Sequence, residues 1–84
     1  MKFCFITFRS ITPAQRAEAL LRRSGVECSI QRTQRWMEQQ GCGYSLRLRC
    51  AAVPEAVQLL RRQDIPYRKL YREVSGGKLE EMLL

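Results

Sequence analysis

The chain has 84 residues, 45% hydrophobic and 27% charged, and carries a net charge of +7 from fifteen basic and eight acidic side chains. That length makes one domain with a small core, and that balance excludes a disordered chain. No apolar run reaches the ~18 residues of a membrane helix, and "FCFITF" is too short for a leader core and lacks a cleavage site after it. The expected location is therefore the cytoplasm, with no membrane partner.

"KFCFITFR" opens the chain as a strand, with Cys4, Ile6 and Phe8 on one face and Phe3, Phe5 and Thr7 on the other. "SITPAQRAEALLRRSG" follows as a helix. Thr12 is its expected N-cap, Pro13 suits the first helical position, Gln15 completes a capping box and Gly25 stops it. "VECSIQR" alternates as the second strand, with Val26, Cys28 and Ile30 inward. After a loop around Trp36, read as a cap on the core edge more than a flap, "YSLRLRC" alternates again. Tyr44, Leu46, Leu48 and Cys50 point inward there, and Ser45, Arg47 and Arg49 outward. "VPEAVQLLRRQD" is a second helix opened by Pro54 and Glu55, and "IPYRKLYREV" a last strand. "SGG" then breaks the chain, and "KLEEMLL" has the spacing for a turn or two of helix.

The order β-α-β-β-α-β predicts a ferredoxin-like α+β sandwich over residues 1–74, a four-stranded antiparallel sheet with two helices on one face. Residues 75–84 form a tail, with Leu79, Met82 and Leu83 placed to cover apolar surface. In this topology the third strand lies between the first two. Its start then meets the finish of strand one and the N-terminus of helix one.

That end of the fold is the candidate site. "QQGCGYSLRLRC" sets Cys42 between Gly41 and Gly43, beside Arg9 and Ser10, with Arg32 and Arg35 from the strand-two exit and Arg61 and Arg62 from the end of helix two. A helix N-terminus and cations both favour thiolate, the nucleophilic form of a thiol whose free pKa is about 8.5. The chain has no histidine to serve as a base, so a carrier or exchanging thiol is expected more than a hydrolytic nucleophile. Spacing alone leaves open that Cys42 is an inert turn residue. Cys4, Cys28 and Cys50 lie on apolar strand faces and read as small hydrophobes, not as disulfide partners. With no C-x-x-C pair, no metal or other cofactor is expected.

Several segments together carry a resemblance: "ITFRS" (6–10), "AEALLRRSGV" (17–26), Cys42-Gly43 ahead of "LRLR", and "LYRE" (70–73). Over about residues 3 to 73 the chain resembles the small bacterial domain family described as putative selenium/sulfur carrier-like. The resemblance implies that Cys42 holds a persulfide or selenopersulfide. A cysteine desulfurase or other sulfur or selenium donor would load it, and an acceptor protein would take the cargo. Family members often have serines before Cys-Gly, where this chain has Gln39, Gln40 and Gly41.

The alternative is a non-catalytic interaction domain, binding nucleic acid or adapting a protein, with Cys42 incidental. Twelve arginines favour an anionic partner, and Phe3, Phe5, Arg47 and Arg49 share the outer sheet face. "CGYSLRLR" begins like an RNA-recognition octamer but lacks its later aromatics, and an RNA-facing Tyr44 would turn Arg47 and Arg49 into the core. Homodimerisation through the sheet face, or cover by the tail, ranks above nucleic acid for that surface. Arg16, Arg22 and Arg23 read as solvated.

Overall fold

The computed structural model describes residues 2–32, 43–74 and 79–82. Its elements run β1 (Phe3–Phe8), α1 (Ile11–Arg23), β2 (Cys28–Arg32), β3 (Tyr44–Arg49), a 3-10 turn (Cys50–Ala52), α2 (Val53–Arg62), β4 (Leu70–Glu73) and β5 (Leu79–Met82). The sheet is antiparallel throughout, in the order β2-β3-β1-β4-β5. As expected, β3 lies between β1 and β2 and opposes both. The class is α+β with two helices, but the sheet has five strands and not four.

The fifth strand replaces the expected helical tail. Leu79–Met82 pairs with β4, Leu79 opposite Glu73 and Met82 opposite Leu70. Glu80 meets Arg72 of β4 at 2.8 Å, and Glu81 meets Lys69, just before β4, at 3.7 Å. Met82 packs against the core edge. Over 79–82 the tail therefore extends the sheet in its plane, and Leu83 lies outside the described residues.

One apolar cluster joins the sheet to both helices. Cys4, Ile6, Phe8, Leu46 and Leu48 contribute from the strands, Ala14, Ala17 and Leu21 from α1, and Val53, Ala56, Val57 and Leu60 from α2. Leu46 and Leu48 are buried while Arg47 is half-exposed and Arg49 exposed, as the alternation of β3 predicts. Ser45, expected outward, is instead buried opposite buried Thr7 of β1, and Tyr44 is only partly buried. Ile30 is only partly buried, because β2 is an edge strand.

Both helices end in the same way. After α1, the Val26 N–H donates to the Leu21 carbonyl at 2.8 Å and the Gly25 N–H to Arg22 at 3.1 Å, with Gly25 at φ +86°. After α2, Ile65 donates to Leu60 at 2.9 Å and Asp64 to Arg61 at 3.2 Å, with Asp64 at φ +54°. Each closes the last carbonyls with a left-handed residue and tucks the next apolar side chain under the helix. At the other end, α1 begins two residues earlier than its sequence suggests: Ser10, extended and without a side-chain capping bond, is the N-cap where Thr12 was expected. The stretch 65–69, read as part of the last strand, is irregular, and only Leu70–Glu73 forms ladder. It still joins β1: Arg68 N–H donates to the Thr7 carbonyl at 2.7 Å and Lys69 N–H to Thr7 Oγ1 at 2.9 Å.

Candidate functional site

One row of the sheet defines the end where the site was expected. Tyr44, the first residue of β3, lies opposite Phe8 of β1 and opposite Arg32 of β2. Gly43, just before it, is buried. Arg9 and Ser10 follow Phe8 directly, both exposed, and Ser10 is the N-cap of α1. Register thus brings Arg9, Ser10, Arg32 and Gly43 to one end, for the reason read from topology. Cys42, Gly41, Arg35 and Trp36 lie outside the described residues.

The first turn of α1 contains no acidic side chain, and Ser10 does not cap it. Its leading N–H groups therefore keep their partial positive charge for other partners. Arg61 and Arg62 stand exposed in the last turn of α2. Gln63, which follows them, shares a surface groove with Arg16, Ala19, Leu20 and Arg23, beyond the first turn of α1.

The other three cysteines are each accounted for. Cys4 and Cys50 form a disulfide, 46 residues apart in sequence with Cα atoms 5.0 Å apart. This overturns the expectation that both are simple apolar strand residues. Cys4 lies opposite Leu48, and Cys50 has left the strand for the 3-10 turn, where its N–H donates to the Lys2 carbonyl at 3.2 Å. That turn swings Cys50 toward β1 and within bonding reach of Cys4. Cys28 is a free thiol, 5% exposed. Burial pushes its pKa up, Glu18 adds to the rise, and Arg22 opposes both. It is the less nucleophilic for it at neutral pH.

Arginine roles are the part that spacing missed. Arg22, expected to be solvated, donates to the Cys28 carbonyl through Nη2 at 3.0 Å and lies 3.5 Å from Glu18. Glu18 in turn accepts from the Ile30 N–H at 3.3 Å. These two side chains occupy the outward backbone groups of edge strand β2. Their i, i+4 spacing was the visible signal; the strand they would meet was not. On the helix-free face, Arg47 lies 3.7 Å over the Phe3 ring centroid. A cavity of about 290 Å³ opens beside this pair, with Arg22, Cys28 and Arg49 also in its walls. Arg49 lies 3.9 Å from Glu27.

Among the described residues, no three histidine, cysteine, aspartate or glutamate side chains gather to hold a metal ion. No helix among them is long and apolar enough to cross a membrane. No curated protein and no solved structure matches the chain. Residues 3–72 match the family described as "Putative Se/S carrier protein-like". With most of its length inside that match, the chain belongs to this carrier-like family.

Proposed function

We propose that the chain carries sulfur or selenium on Cys42 and passes it between partner proteins. Family membership supports the class of activity. The observation that carries the choice of residue is the state of the other cysteines. Cys4 and Cys50 are tied to each other, and Cys28 is buried, with its pKa raised by that burial. With the disulfide closed, none of the described cysteines offers an accessible thiol, which favours Cys42 as the carrier.

In the loading step the Cys42 thiolate attacks the terminal sulfur of a donor persulfide, such as that of a cysteine desulfurase. The donor S–S bond breaks, the donor cysteine leaves as thiolate, and Cys42 keeps one added sulfur as a persulfide. Arg9 and Arg32, at the same end of the sheet, would favour the anionic forms, with Arg35, Arg61 and Arg62 as further candidates. An acceptor thiolate or other nucleophile reverses the step. The sequence has no histidine to act as a base, which fits a carrier better than a stand-alone catalyst. The β2-β3-β1-β4 part of the sheet reads as ferredoxin-like, with β5 added at its edge.

The four cysteines fall in four different tryptic peptides, which makes the test direct. Incubation with a cysteine desulfurase and cysteine should add one sulfur atom to peptide 36–47, and Cys42→Ser should abolish it. Loading on peptide 24–32 instead, or no loading at all, rejects the assignment.

A second reading has one observation in its favour. Phe3 and Arg47 form a stacked cationic platform on the helix-free face, suited to a single-stranded nucleic acid. Arg49 beside it is drawn toward Glu27, and Arg47 covers the ring that a base would stack on. That reading ranks second.

A further inference from the structure

Cys28, Leu48 and Cys4 form one row across β2, β3 and β1, and Cys50 stands two residues beyond Leu48. Three sulfurs therefore sit near one end of the core, two of them bonded to each other. Their environments differ. Cys4 has no exposed surface and is held in ladder on both sides, opposite Leu48 and opposite Arg72. Cys50 lies in a short turn and is only partly buried. Cys28 is separated from Cys4 by a whole strand, roughly 10 Å at the usual strand spacing, outside disulfide reach.

We propose that Cys4–Cys50 is a reversible redox modification site, opened by dithiol reductants at the Cys50 sulfur and re-closed by small disulfides, with Cys28 excluded from the exchange. A reductant thiolate attacks Cys50 Sγ, the bond to Cys4 breaks, and Cys4 leaves as thiolate and takes a proton. The reductant's second thiol then attacks the mixed disulfide and releases Cys50. Two electrons and two protons pass to the pair, and the reductant becomes a disulfide. Closure by oxidised glutathione runs the other way: Cys50 takes up one glutathione, and Cys4 displaces it.

The fold is built to survive opening. β1 is held by its full ladder to β3 and its pairing to β4, neither of which runs through the sulfurs. The two freed thiols would remain as small apolar side chains in an apolar surround. What opening releases is the 3-10 turn that leads into α2, from the strand it is stapled to. Attack at Cys4 would require β1 to leave the sheet, so the entry point is Cys50.

The test uses the full chain carrying Cys42→Ser, so that it does not depend on the carrier reading. Alkylation in denaturant without reductant should find one free thiol, on peptide 24–32, and peptide 3–9 linked to 50–61. Native treatment with dithiothreitol before denaturing alkylation should raise the count to three with an unchanged circular dichroism spectrum. Native treatment with reduced glutathione should trap the mixed disulfide on peptide 50–61. Oxidised glutathione should then restore the 3–9 to 50–61 link. Three free thiols at the outset, glutathione on peptide 3–9, re-closure through peptide 24–32, or a bond that opens only in denaturant would each overturn the proposal.

Discussion

Cys28 shows how position sets the chemistry of a side chain. It stands in an edge strand, yet α1 covers it, and burial outweighs the pull of Arg22 toward the thiolate. A thiol is neutral when protonated, so a raised pKa means less thiolate at any given pH. Its rate of alkylation in the native protein should therefore keep rising with pH beyond the point where peptide 24–32, free in solution, has levelled off. Rates measured across alkaline pH with iodoacetamide check this; matching plateaus would show that burial does not control the group. At Asp64 the same attention to position explains a departure from glycine. Aspartate tolerates the left-handed conformation better than most residues, and here it closes α2 as Gly25 closes α1.

Among the elements, the two sheet edges are handled differently. Along β2, Glu18 and Arg22 reach from α1 onto the outward N–H of Ile30 and C=O of Cys28, leaving less for another strand to pair with. On the opposite side, β5 covers β4, which would otherwise expose the edge beside buried Leu70 and Tyr71. The ion pairs of β5 are exposed and contribute little, on the order of 0–1 kcal/mol each. Its ladder and Met82 hold it. Deleting residues 79–84 should then raise surface-dye binding and produce self-association visible by sedimentation, because β4 becomes an open edge. A deletion variant that stays monomeric and binds no more dye would leave β5 without that role. The first three strands and both helices were legible because each repeats one period long enough to read: "FCFITF" and "YSLRLR" every second residue, "AEALLRR" at helical spacing. β4 was read only within a longer run, since Leu70 and Tyr71 are buried side by side and show no alternation. β5 was not, since Leu79, Met82 and Leu83 have helical spacing and a four-residue strand is too short to show its own period. What decides it is the ladder to β4 and the packing of Met82 on the core edge, long-range facts.

At the scale of the molecule, the site and the disulfide differ in how far the chain alone discloses them. That Arg9, Ser10, Arg32 and Gly43 meet at one end follows from strand order, and strand order follows from element order. That Cys4 meets Cys50 depends on where β3 stops and turns, which alternation through Cys50 conceals. The bond closes a loop across 46 residues that contains α1, β2 and β3. Loop-closure entropy for that span sets its stabilisation at about 4 kcal/mol, before any change in native packing. A domain of this size has only about 5–10 kcal/mol in all, so the staple is a large share of its stability. Thermal unfolding followed by circular dichroism should show a midpoint at least about 10 °C lower with dithiothreitol than without. The reduced form should still melt cooperatively from a folded baseline, because the ladders of β1 and the shared core of α1 and α2 remain. Equal midpoints would mean that the bond constrains nothing the ladders do not already hold. A reduced chain with no folded baseline would mean that the core is too small to stand without it.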